Sequence, residues 1–137
     1  MASITRILET ALYVDDLDVA AAFYRDVLGF QVLDASARLV AMDAGQSTVL
    51  LLFHRGATLS GARLPGGWIP PHDGHGPVHL AFAVTREALP EWEERLTRLG
   101  IPIESRVRWS AGGESIYFRD PAGHSVELAT PGTWATY

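Results

Sequence analysis

The amino-acid sequence predicts an α+β fold built from two βαβββ modules, and three observations predict it. The first is an internal repeat: Leu28-Gly29 is answered by Leu99-Gly100, and Ala44-Gly45-Gln46-Ser47 by Ala122-Gly123-His124-Ser125. A repeat of this kind reports architecture more directly than any single motif. The second is that each half opens with a period-two strand pattern, passes into a period-3.6 helical pattern and closes that helix on a glycine. The third is the stretch from Glu114 to Ala129, which reads as a hairpin around Asp120-Pro121-Ala122-Gly123. Pro121 presets φ, Asp120 can accept from the backbone ahead of it, and Gly123 tolerates positive φ. Pairing the apolar residues sets Phe118 opposite Val126 and Ile116 opposite Leu128. Tyr117 then falls opposite Glu127 on the other face, since a slip of one residue would scatter both sets.

The first module spans residues 4–54. Its opening strand, Ile7 to Val14, carries Leu8, Thr10, Leu12 and Val14 on one face and Glu9, Ala11 and Tyr13 on the other. Asp15-Asp16-Leu17-Asp18 leads into a helix on which Ala20, Phe23, Tyr24, Val27 and Leu28 recur at helical spacing, with Gly29 suited to its C-terminal turn. Phe30 to Leu33, Arg38 to Met42 and Thr48 to His54 follow as strands. The second module, residues 77–130, repeats the order. Val78 to Val84 is a strand with His79, Ala81 and Ala83 on one face. Thr85 caps a helix with the stripe Leu89, Trp92, Leu96 and Leu99, and Pro90 is tolerated in its first turn. Gly100 ends it, and Ile101 to Val107 precedes the hairpin. Residues 131–137 form a tail.

Residues 55–76 join the modules in a stretch rich in Gly and Pro, with Trp68 and Ile69 as its large apolar pair. Long loops inside compact domains are commonly functional or disordered. His72 and His75 could reach over a site, but their spacing alone favours a pair of solvated histidines.

Composition narrows the function. A chain of 137 residues is one domain's worth, with 47% hydrophobic residues enough for a core. A net charge of −5 with no basic run argues against nucleic acid as a partner. Apolar runs such as Val49 to Phe53 are too short to span a bilayer. The opening residues lack the layout of a secretory signal, so a cytoplasmic location is expected. Without cysteine there is no disulfide, thiolate metal site or thiol nucleophile.

The chemistry rests on Glu9, His79 and Glu127. Each interrupts a strand on the face opposite its bulky apolar residues, and the repeat lays Glu9 on His79 and Glu127 at or near Leu50. Their same-face neighbours are small: Ala11, Ala81, Ala83, Ser125 and Ala129. Small residues around polar ones leave a hollow. One imidazole and two carboxylates suit a divalent Fe, Mn, Co, Ni or Zn ion with coordination positions left open. Each residue also has a plain structural reading. Glu9 could be a solvent-facing edge residue, His79 a hydrogen-bonded sheet histidine, and Glu127 an ion-pair partner for an arginine such as Arg119.

Four stretches resemble the vicinal oxygen chelate superfamily of glyoxalases, extradiol dioxygenases, fosfomycin-modifying enzymes and bleomycin-binding proteins. They are Tyr13 to Leu17, Phe23 to Phe30, Gly76 to Val84, and Tyr117 to Leu128. The resemblance implies a curved mixed sheet around a central cavity with helices outside, and a divalent metal held by Glu9, His79 and Glu127. It implies a small-molecule substrate that chelates the metal through adjacent oxygens, Glu127 and Tyr117 as catalytic groups, and a homodimer. Trp68, Leu50 and Leu52 are expected as apolar wall. Glyoxalases typically supply a further carboxylate from the last strand of the first module, where Thr48 to Phe53 holds no acid. The alternative is a metal-free protein that sequesters an antibiotic, as bleomycin-resistance members do.

Overall fold

The computed structural model describes residues 1–137 and divides into two compact units, residues 1–75 and 76–137. In the first unit the order is β1 (Glu9–Val14), α1 (Leu17–Asp26), β2 (Gln31–Ala35), β3 (Leu39–Asp43), β4 (Val49–His54), β5 (Ala62–Leu64) and β6 (Gly67–Ile69). In the second it is β7 (His79–Ala83), α2 (Leu89–Arg98), β8 (Ser105–Arg108), β9 (Glu114–Arg119) and β10 (Ser125–Ala129). The sheets have matching orders, β1-β4-β3-β2 and β7-β10-β9-β8, with β1 parallel to β4 and β7 parallel to β10. The twice-repeated βαβββ module of the sequence is therefore the fold.

Alternation puts one face of each sheet into a core. Leu12, Val14, Val40, Met42, Leu50 and Leu52 are buried in the first unit, together with Ala20, Phe23, Tyr24, Val27 and Leu28 of α1 and the turn that follows it. Asp16 caps α1 by accepting from the Val19 amide at 3.0 Å, and Gly29 takes φ 78° beyond it. The core of the second unit takes Leu89, Leu96, Ile116, Phe118, Val126 and Leu128. Burial of one such side chain stabilises by roughly 1.5–3 kcal/mol, so these faces fix the register.

The hairpin pairs as the apolar residues require: Phe118 with Val126, Ile116 with Leu128, Tyr117 with Glu127. The Asp120 carboxylate accepts from the amides of Ala122 at 3.0 Å and His124 at 2.9 Å, and Gly123 has φ 87°. Its other oxygen meets the His124 ring at 2.6 Å, both side chains being buried.

Three local expectations are corrected. The joining stretch contains the β5–β6 hairpin, turned at Pro65-Gly66, a signal that three-residue strands made easy to miss. Thr85 caps a preceding turn, accepting from the Ala88 amide, and α2 starts only at Leu89. Leu99 lies outside the stripe, 46% exposed past the last helical turn.

Candidate functional site

In the second unit, two of the three suspected ligands meet. His79 opens β7, whose parallel pairing with β10 sets it beside Ser125, two residues from Glu127. The His79 Nδ1 lies 2.9 Å from the Ser125 carbonyl oxygen and Nε2 lies 3.2 Å from Glu127 Oε2. A carbonyl only accepts, so Nδ1 carries a proton and donates it. Nε2 in the neutral ring then presents a lone pair to a carboxylate oxygen, two electron-rich atoms face to face. A proton or a cation held between them removes that repulsion. A backbone carbonyl on the far nitrogen is also how metal-ligating histidines are oriented. Two donors each about 2.1 Å from one ion stand this far apart when they subtend about 100°, between tetrahedral and octahedral angles. The donor set fits a divalent ion.

Glu127 is only 6% exposed and is held from behind. The Trp109 indole N–H donates to Ser115 Oγ at 2.8 Å, and Ser115 O–H donates to Glu127 Oε1 at 2.5 Å. One carboxylate oxygen is thereby aimed, and the other is left for His79. Tyr117 stacks on the His79 ring, centroids 6.1 Å apart. Burial, then the charge and hydrogen-bond acceptance of Glu127, push the Tyr117 phenol above its usual value, so it is protonated at neutral pH. Arg119 is not the partner of Glu127; it forms a two-point pair with Glu104 at 2.7 and 3.1 Å.

In the first unit, Glu9 is exposed at the start of edge strand β1 and lines a cavity of about 660 Å³. The parallel register sets Glu9 beside Val49, Ala11 beside Leu51 and Tyr13 beside Phe53. Leu51, not Leu50, thus holds the position equivalent to Glu127. The expected apolar wall is corrected with it. Leu50 and Leu52 point into the core, 1% and 0% exposed, while Leu51 and Phe53 face the cavity. Trp68 is 53% exposed and its neighbour Ile69 lines the cavity instead.

His72 is not a solvated loop histidine. It lines the same cavity, half-buried, with Nδ1 2.5 Å from the Tyr13 hydroxyl; His75 is exposed. Glu9 belongs to the first unit and His79 and Glu127 to the second, and no group of three or more His, Asp or Glu side chains gathers within either unit. Residues missed in the sequence include Ser115, Trp109 and His124. Ser115 was accessible in principle, because it shares a strand face with Tyr117. Trp109 and His124 act through contacts that no spacing announces.

A βαβββ unit repeated in one chain, with an imidazole and a braced carboxylate on adjacent strands of the second copy, is the class of fold these observations define. The chain belongs to the Glyoxalase/Bleomycin resistance protein/Dioxygenase superfamily, whose sequence model matches residues 6–128. It is similar to metallothiol transferase FosB of Bacillus licheniformis, 31% identical over 118 residues, or 85% of this chain and 70% of that one. Glutathione transferase FosA of Serratia marcescens is 26% identical over 117 residues, covering 85% and 74%. Among solved structures, lactoylglutathione lyase from Agrobacterium tumefaciens superposes with a TM-score of 0.87 at 39% identity, over 98% of this chain and 99% of that one.

Proposed function

We propose that the protein is a divalent-metal-dependent enzyme acting on a small substrate with adjacent oxygens, in a reaction that involves a thiol compound. The observation that carries this reading is the His79–Glu127 pair: one ring nitrogen committed to a carbonyl, the other facing a buried, braced carboxylate at 3.2 Å. Thiol chemistry is what the printed names of the metallothiol transferase, the glutathione transferase and the lactoylglutathione lyase share. His79, Glu127 and Glu9 would hold the ion, of the Fe, Mn, Co, Ni or Zn group. When bound, such an ion polarises a substrate oxygen or acidifies water.

The remaining roles belong to this chain's own side chains. Ser115 and Trp109 keep Glu127 oriented and deprived of freedom, which preserves its donor geometry. Tyr117, protonated and beside Glu127, donates a proton or hydrogen bond to a substrate oxygen on which charge develops. Leu51 at the position matching Glu127 leaves the first module without a second carboxylate, which favours a three-donor set and transferase over lyase chemistry. The active species is read as a homodimer, which size-exclusion chromatography with light scattering checks.

A second reading, binding without turnover, is favoured by the apolar floor of the first-unit cavity, Ala11, Leu51 and Phe53. Elemental analysis of protein purified without chelators separates the two. The expected result is a divalent ion in near-stoichiometric amount in the parent protein and its loss in Glu127→Ala. Turnover should then appear with glutathione and methylglyoxal, or with a thiol and an epoxide, and depend on the metal. Unchanged metal content in Glu127→Ala, or turnover by stripped protein, overturns the enzymatic reading.

A further inference from the structure

The first-unit cavity carries a feature that the metal reading does not use. His72 sits in the stretch between β6 and the end of the first unit, where a free loop would leave it to solvent. Its backbone is instead clamped from both sides. The His72 amide donates to the Thr58 carbonyl at 3.2 Å, and the Thr58 hydroxyl donates back to the His72 carbonyl, with Thr58 only 3% exposed. The next residue, Asp73, accepts from the Gly56 amide at 3.1 Å. Gly74 then packs flat on Tyr13, since a Cβ there would stand 2.7 Å from a ring carbon.

The ring is fixed as firmly as the backbone. The Tyr13 hydroxyl meets His72 Nδ1 at 2.5 Å, and Phe53 closes on the imidazole edge-on, centroids 4.8 Å apart, while stacking on Tyr13 at 5.7 Å. Burial first and the charge of Asp73 second push the Tyr13 phenol above its ordinary value, so it keeps its proton. Where that hydroxyl donates to Nδ1, the hydrogen of the imidazole sits on Nε2. That N–H has no protein partner, on a ring that lines the cavity.

Glu9 and Tyr13 share one strand face four residues apart, roughly 13 Å at strand rise. Between them the floor on β1 and β4 is apolar, Ala11, Leu51 and Phe53, while Asp34, Ser36 and Arg38 also line the cavity. We propose that this cavity holds the apolar body of an elongated substrate whose chelating head lies at Glu9 and whose far end carries a neutral acceptor, such as a ketone or ether oxygen, bonded by His72 Nε2–H. His72 is thus a specificity-determining residue, and Tyr13 positions it by holding the tautomer. Only the direction of the substrate rests on the reading of Glu9 as a metal ligand. A site that offers one hydrogen bond discriminates, by the worth of that bond, against an analogue that lacks the partner atom.

The test uses two hydroxamates of equal shape, 4-acetylbenzohydroxamate and 4-isopropenylbenzohydroxamate, which differ only in the tail acceptor. Acetohydroxamate serves as head alone. Affinities are measured by calorimetry for metal-loaded and chelator-stripped protein. The acetyl compound should bind the parent about five- to ten-fold more tightly than its isopropenyl partner, the worth of one hydrogen bond. That ratio should fall to about one in His72→Phe and to an intermediate value in Tyr13→Phe, with acetohydroxamate unaffected by either change. A ratio near one in the parent, a ratio that survives His72→Phe, or no binding of either tailed compound overturns the proposal. Acetohydroxamate binding that is indifferent to metal overturns the metal reading instead, while the ratio still reports on His72.

Discussion

The two modules share a strand order, yet their equivalent sheet faces are furnished in opposite ways. Laid on the register, Glu9, Ala11 and Tyr13 correspond to His79, Ala81 and Ala83, and Val49, Leu51 and Phe53 to Ser125, Glu127 and Ala129. Ala41 and Leu39 correspond to Tyr117 and Ser115 in the same way. On these strands the first module therefore offers Glu9 at the end of an apolar floor, with Asp34, Ser36 and Arg38 lining the same cavity, and the second a compact polar cluster. Duplication of a backbone does not duplicate a site. The buried faces stay apolar in both modules because each must fill a core, whereas the opposite faces are free to diverge into packing and coordination.

Changes that break the polar half of this comparison have the largest expected effects. Glu127→Ala removes a buried donor whose outer-shell partners alone are worth 10- to 100-fold. Metal content and metal-dependent turnover should fall by more than about a hundred-fold, read by elemental analysis and initial rates. Asp120→Ala removes the oxygen that accepts from the Ala122 and His124 amides in the turn before β10 and leaves the buried His124 ring without its carboxylate. A loss of about 3 kcal/mol is expected in urea denaturation, since a buried polar ring and two turn amides lose their acceptor.

The apolar half should respond in stability and not in coordination. Phe53→Ala deletes a half-buried ring that stacks on Tyr13, at a cost of about 2 kcal/mol, with the metal affinity of the second module unchanged. Ser115→Ala is the sharper counterpart. On the proposed reading it should weaken metal binding by about ten-fold, read by competition with a chromophoric chelator, because Glu127 loses its brace but keeps its carboxylate.

The smallest effect is a titration. The Tyr117 phenol should ionise above its ordinary value of 10.0, followed by phenolate absorbance in the parent against Tyr117→Phe. Glu127→Gln should bring it back toward that value by removing the adjacent charge. The sign for stability follows. A phenol raised on folding contributes fully below its unfolded value, and the contribution fades as pH rises through the folded one.

What the sequence determined by itself was what local physics repeats. Alternation and 3.6-residue periodicity placed the strands and helices, the Asp-Pro-Ala-Gly turn fixed the hairpin register, and that register set Tyr117 beside Glu127. The repeat then assigned Glu9 and His79 to equivalent positions. What only the tertiary structure decided were facts that depend on pairing between strands distant in sequence. The β1–β4 register made Leu51 the counterpart of Glu127 and turned Leu50 and Leu52 into the core. The Thr58 clamp and the Tyr13 ring drew His72 out of solvent across 14 and 59 residues of chain. A side chain's facing within its own strand is written in its neighbours, but the atom it meets across a sheet is chosen by closure of the whole unit.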